Sequence, residues 1–315
     1  MGTVNTADSW KPLEVTPDGV EASARGLIEY VTGQPDFAGL LTREKVVVFR
    51  GFHVTEQELD PVMDLLLPNR LAYRHGTSPR TKVGANVYTS TEYPPEETIS
   101  MHNELSYSHE WPSRLFFYCA TAAATGGATP VVDGELWLDS LDAEVREAFS
   151  GGLRYIQNLH GGLGLGRSWQ QAFETEDRDE VAAFLDGGEA EWSWQPDGGL
   201  RIISHVRPAT IKHPVTGTEV WFNQSDQFHP AALGDEVALE LAQIMAPEEL
   251  PQSVAFADGS PIPAEYVLQV RDRGLEAAVD VDWRKGDLMV VDNVAVGHGR
   301  RPFTGDRRVL VAMSG

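Results

Sequence analysis

The chain has 315 residues, 42% hydrophobic and 23% charged, with a formal net charge of -22, the balance of a globular protein. The surplus of acid disfavours nucleic acid and anionic membrane surfaces as partners, because phosphate binding needs a basic face, and suits a cationic or zwitterionic small molecule better than a polyanion. The single cysteine, Cys119, excludes an internal disulfide and a thiolate zinc site, so any metal must be held by histidine and carboxylate.

In chain order, residues 1–19 read as an irregular lead-in, and 20–33 as a helix with Leu27, Ile28 and Val31 on one face. Residues 45–51 form a strand ended by Gly51, and Thr55 with Glu58 caps a helix that runs to about Leu67. Residues 84–101 carry loop signals, including Pro94-Pro95. Strands follow at 114–120 and 129–132, separated by the Gly126-Gly127 turn, then a helix over 136–149. Residues 160–200 read as an insertion with short helices near 169–171 and 180–185. Strands resume at 201–206, 219–223, 287–292 and 308–312, interrupted by helices over 234–246 and 263–271. Dispersed short strands with grouped helices predict a mainly β fold with helical decoration, a β-sandwich in one domain spanning 1–315. No apolar leader and no apolar run of membrane-spanning length are present, which predicts a cytoplasmic protein.

The chemistry is carried by two distant stretches, Met101-His102-Asn103-Glu104 and Asp292 through His298-Gly299 to Arg307-Arg308. In a strand, residues two apart share a face, so His102 and Glu104 can address one ion while Asn103 turns away. His298, at the end of an apolar strand and flanked by Gly297 and Gly299, is the natural third ligand. Two histidines and one carboxylate on one face of an octahedron leave three open positions, the arrangement of Fe(II) oxygenases. The His-x-Glu spacing alone decides nothing, since this composition produces about one His-x-acid match by chance; a solvated loop histidine reads equally well. Such an oxygenase also needs electrons from a 2-oxo acid, whose distal carboxylate suits an arginine fork. Arg308 opens the strand after His298, with Arg307 facing the opposite side, and Thr129 is a candidate hydroxyl donor beside it.

At these residues the chain resembles the TauD/TfdA family of Fe(II)/2-oxoglutarate dioxygenases, most of all its SyrP-like branch, with clavaminate synthase as a more distant relative. Four collinear blocks carry the resemblance over roughly residues 40–315: 86–95, His102 to Tyr107 with Trp111-Pro112, Gly126 to Pro130, and Asp292 to Arg308. It implies a double-stranded β-helix (jelly-roll) core, iron on His102, Glu104 and His298, and 2-oxoglutarate on Thr129 and Arg308, with O2 as the oxidant. Many members have Asp where this chain has Glu104, but some relatives also use Glu; related halogenases lack the carboxylate, so Glu104 argues against halogenation. The implied substrate is an amino-acid-like small molecule of specialised metabolism, free or tethered to a carrier protein, with desaturation, epoxidation and cyclisation open to the same chemistry. The remote alternative is a non-catalytic jelly-roll binding protein. Segments 84–101 and 160–200 are candidate substrate loops or a lid, and Asn86, Tyr88, Ser90, Arg207 and Asn223 are candidate substrate contacts.

Overall fold

Val46, Val47, Val48 and Phe49 are all fully buried, so the strand they form is covered on both faces. The computed structural model describes residues 10–76, 78, 80–91, 93–160, 166–233 and 249–315. Val46–Phe49 lies in a seven-stranded sheet ordered Leu13–Val15, Val46–Phe49, Leu288–Asp292, Arg114–Thr121, Arg308–Ser314, Val87–Thr89, Lys82–Gly84. A four-stranded sheet runs Val279–Val281, Thr129–Asp133, Val296–Arg300, Ile99–His102.

Strand alternation divides the apolar residues of the large sheet between two cores. Val46, Val48, Phe117, Met289, Val309 and Val311 point toward the small sheet and pack with Met101, Val131 and Val296. Val47, Phe49, Phe116, Val290, Leu310 and Ala312 point the other way, onto the helices Ala24–Gly33 and Leu59–Leu66. A β-sandwich with helices on its outer face results. A further sheet, Glu191–Trp194, Leu200–Ile203, Leu153–Leu159 and Gln252–Phe256, joins the helices Trp169–Phe173 and Arg178–Gly187. Helices and strands of the 160–200 region pack with the neighbouring strands in a separate cluster of Leu159, Trp169, Phe173, Val181, Leu185 and Ile202.

Several elements differ from the sequence expectation. The lead-in contains Leu13–Val15, paired parallel to Val46–Phe49, and a helix over Phe37–Glu44 follows the first. Residues 84–101 contain two strands, Val87–Thr89 and Ile99–His102, both too short to show a period. The helix expected over 136–149 is two, Gly134–Ser140 and Ala143–Phe149, because Leu141 and Asp142 are extended between them. The later helix extends to Ala264–Ala277, and the one expected over 234–246 lies outside the described residues. Among the described residues no helix is long and apolar enough to cross a membrane.

Candidate metal centre

His102 ends the strand Ile99–His102 and lies directly across from His298 in the antiparallel partner Val296–Arg300. Opposed positions on neighbouring strands bring side chains together, and the two imidazole centroids are 4.3 Å apart. The flanking glycines have separate jobs. A Cβ on Gly297 would sit 2.9 Å from the Trp137 ring, and one on Gly299 would sit 2.5 Å from the carbonyl oxygen of Ile99. Gly297 therefore lets Trp137 pack behind the site, and Gly299 lets the irregular strand pair close.

Glu104 reaches the same point by another route than strand alternation. The strand ends at His102, and Leu105, next after Glu104, has a left-handed φ of 57°. What fixes the turn is a pair of buried asparagines. Asn293 accepts from the Glu104 amide at 2.8 Å and donates to the carbonyls of Glu104 (3.1 Å) and Pro112 (2.8 Å). Asn103 donates to the carbonyls of Asn293 (2.7 Å) and Val296 (3.1 Å). Asn103 does turn away from the site, and in doing so ties the Glu104 turn to the loop that launches the His298 strand.

One ligating atom from each of His102, Glu104 and His298 lies within 4.8 Å of the other two, and all three residues are buried. His298 Nε2 is 3.9 Å from Glu104 Oε2. Burial holds the His102 imidazole below its usual pKa, with Glu104 opposing. Burial, then His102 and Arg80, hold His298 well below it. Both rings are thus neutral and present lone pairs. His102 Nδ1 lies 3.0 Å from the Ser100 carbonyl; a proton donated there leaves Nε2 as the ligand, the usual outer support of a metal-binding histidine. Two neutral imidazoles and a carboxylate fit a ferrous ion.

The histidines open onto a cleft whose walls include Phe117, Val309 and Val311 on the apolar side and Ser90, Thr129 and Arg307 on the polar side. The expectation that Arg308 points inward is corrected here. Arg307 shares the inward parity of Val309 and Val311, whereas Arg308 has the outward parity of Leu310. The Arg308 side chain is 38% exposed and pairs with Glu56. Arg307 donates through Nε to the Gly127 carbonyl (3.0 Å) and through Nη1 to Ser90 Oγ (3.3 Å). Burial, then the neighbouring Arg300, bring its pKa down to about 10, so it remains a cation at neutral pH. Gly127, at φ 74°, makes room for it: a Cβ there would lie 3.1 Å from Arg307 Cδ. Thr129 lines the cleft and its hydroxyl accepts from Trp283 Nε1 at 2.9 Å.

Of the five candidate substrate contacts only Ser90 is in this cleft. Asn86 sits at a left-handed turn and donates to the Arg70 carbonyl. Tyr88 is buried beside Tyr73, its hydroxyl between the Tyr73 amide and Glu174. Arg207 lines a separate cavity with His75 and Tyr155 and donates to the Gly188 carbonyl. Asn223 braces a turn between the Ala209 carbonyl and the Ser225 amide. These four do not line this cleft, and their side chains are committed to backbone or to another wall.

Sequence reasoning missed Arg80 and Arg300. Arg80 donates from Nη2 to Glu104 Oε2 at 2.7 Å, its guanidinium 4.3 Å from the Tyr73 ring centre. Arg300 donates to the carbonyls of Tyr93, Pro94 and Glu97, pinning the loop beside the cleft. For Arg300 a signal existed, its place two residues after His298 on the same strand face. For Arg80, in an irregular segment, none did.

A family model described as "Taurine catabolism dioxygenase TauD, TfdA family" matches residues 23–313. The dapdiamide synthesis protein DdaC of Enterobacter agglomerans is 36% identical over 276 residues, covering 87% of this chain and 83% of that protein. A clavaminate synthase-like protein of Arabidopsis thaliana is 32% identical over 285 residues, covering 87% of this chain and 82% of that protein. Among solved structures, a taurine dioxygenase from Burkholderia xenovorans superposes with a TM-score of 0.52 at 15% identity, covering 96% of this chain and 86% of that one. The structure of AAD-2 in complex with Mn(II) and N-oxalylglycine gives 0.51 at 16% identity, covering 98% and 91%. These likenesses place the sandwich among the jelly-roll cores.

Proposed function

The chain belongs to the TauD/TfdA family of non-haem iron dioxygenases, enzymes that use Fe(II), 2-oxoglutarate and O2, and from that premise we propose that it hydroxylates an unactivated C–H bond of an amino-acid-like small molecule in specialised metabolism. The observation that carries this reading is the meeting of His102, Glu104 and His298 at one end of a cleft that also holds the buried cation Arg307. In it, His102, Glu104 and His298 hold the iron, which when bound supplies the oxidation of the substrate with O2 while 2-oxoglutarate supplies two electrons. Arg307 grips the distal carboxylate of the keto acid, with Ser90 and Thr129 as hydroxyl partners. A guanidinium suits that task because its planar fork makes paired, charge-assisted hydrogen bonds. Phe117, Val309 and Val311 keep water from the other side of the cleft.

The name of the relative DdaC, dapdiamide synthesis protein, supports a place in specialised metabolism and an amino-acid-related substrate. Within one dioxygenase domain the described part of the 160–200 region, residues 166–200, serves as a lid. Arg167 donates to the carbonyls of Gly76 (2.7 Å) and Ser78 (2.9 Å), and so grips the segment that leads to Arg80. Desaturation, epoxidation or cyclisation, and a carrier-tethered substrate, draw on the same residues and are separated by product analysis. Anaerobic titration of the protein with Fe(II) and 2-oxoglutarate tests the reading: the chelate produces a weak visible charge-transfer band, and absence of the band with the wild type refutes it. An amino-acid panel assayed for succinate release, with mass spectrometry for the gain of one oxygen atom, then identifies the substrate.

A further inference from the structure

The cleft has the opposite charge to the protein around it. A chain of net charge -22 lines one small cavity with three arginines, Arg80, Arg300 and Arg307. Among the described residues Glu104 opposes them at the metal end, paired with Arg80, and Glu96 acts on Arg300. Arg300 gives Nη1 and Nη2 to three backbone carbonyls, leaving its Nε without a partner among the described residues, and Arg307 donates to the Gly127 carbonyl and Ser90 and, on the reading above, holds the keto acid. A divalent cation adds two positive charges and a dicarboxylate removes two, so excess positive charge remains. That excess selects a further anion, in contrast to what the whole-chain charge suggests.

Arg80 is the group placed to receive it. Its side chain is 4% exposed, yet among the described residues Nε and Nη1 have no hydrogen-bond partner, and Nη2 is engaged with Glu104. Buried guanidinium nitrogens are almost always satisfied, because leaving them bare forfeits their hydration. Each bare nitrogen shares an edge of the guanidinium with Nη2, the paired-donor geometry that matches a carboxylate. The group is also held in place. The Tyr73 ring lies against it, the Tyr73 hydroxyl accepts from the Ser78 amide at 3.4 Å, and Arg167 fixes the carbonyls of Gly76 and Ser78.

We propose that Arg80 is a second carboxylate anchor of the cleft, gripping the carboxylate of a small acid bound beside the metal, distinct from the carboxylate held by Arg307. The carboxylate belongs either to an amino-acid substrate or to the 1-position of the keto acid. The inference rests on the metal and keto-acid reading above. It would make Arg80 a substrate- or co-substrate-binding residue, positioned by the 160–200 region.

The test is calorimetry on the protein saturated with Mn(II), comparing wild type with Arg80→Gln and Arg80→Lys, each checked for folding by circular dichroism. One arm titrates 2-oxoglutarate. The other adds N-oxalylglycine and then titrates L-amino acids, each against its primary amide. Loss of roughly 10-fold to 100-fold in 2-oxoglutarate affinity in Arg80→Gln assigns the anchor to the keto acid. Unchanged 2-oxoglutarate affinity, with loss of a wild-type preference for an acid over its amide, assigns it to the substrate. Arg80→Lys keeps the charge but not the fork, and loses part of the same affinity, so it decides the matter if Arg80→Gln does not fold. The proposal is overturned if 2-oxoglutarate affinity is unchanged and the wild type prefers no acid to its amide, or keeps that preference in the variants. It is equally overturned if only Mn(II) affinity moves, which would reduce Arg80 to a partner of Glu104. A wild type that binds neither Mn(II) nor 2-oxoglutarate defeats the underlying metal reading, and this inference falls with it.

Discussion

The metal-binding cluster and the arginine beside it are held in different ways. At the metal end, His102 and His298 face each other across a strand pair, and Asn103 and Asn293 lock the Glu104 turn to the opposite loop. The two histidines come from the sandwich itself, and Glu104 from a turn clamped onto it. Beside them, paired with Glu104, Arg80 hangs on an irregular segment held by Tyr73 and by Arg167 of the 160–200 region. The difference is one between chemistry carried on a rigid sheet and recognition carried on a segment that only tertiary contacts hold still. A rigid sheet keeps metal ligands in register whatever the substrate. A segment braced from an insertion can change without disturbing them.

Variants can break that contrast. The largest effect is expected from His298→Ala: Mn(II) binding, followed by electron paramagnetic resonance, is lost, while thermal unfolding shows a folded protein. Next is Arg307→Ala, which removes a buried cation and weakens 2-oxoglutarate by roughly 10-fold to 100-fold in calorimetry on the Mn(II)-loaded protein. Asn293→Ala leaves all three ligands in place but frees the Glu104 turn. Metal affinity then falls about 10-fold to 100-fold, and denaturant titration shows a loss of about 1–3 kcal/mol. Gly297→Ala drives a methyl group against Trp137 and destabilises by about 1–3 kcal/mol, with 2-oxoglutarate affinity retained if the metal end is as rigid as its packing indicates. The smallest effect belongs to Arg308→Ala, whose exposed pair with Glu56 contributes at most about 1 kcal/mol. Its 2-oxoglutarate affinity matches the wild type. Equal effects of Arg307→Ala and Arg308→Ala would show that the strand faces have been assigned wrongly.

What was legible in the sequence follows the same division. Val46–Phe49, Arg114–Thr121 and Leu288–Asp292 are long apolar runs bounded by glycine, charge or turn residues, and their identity as buried strands is local information. His102, Glu104 and His298 stand out through residue type and the resemblance of their surrounding blocks. The choice between Arg307 and Arg308 was a matter of parity that the chain did carry. Counting back by twos from Val309 and Val311, which face the inner core, reaches Arg307; starting from the strand's first residue reaches Arg308. The asparagine clamp was half visible, since Asn103 was expected to turn away, but its partner is nearly two hundred residues distant. Arg80, and the commitment of Tyr88, Asn86, Arg207 and Asn223 to other partners, depend on contacts between remote segments that no local pattern encodes.

The most direct measurement is a crystal structure of the protein with Mn(II) and 2-oxoglutarate, grown anaerobically. The account predicts one ion bound by His102, Glu104 and His298, with the distal carboxylate of the keto acid on Arg307. An ion bound elsewhere, or a distal carboxylate on Arg308, would contradict it.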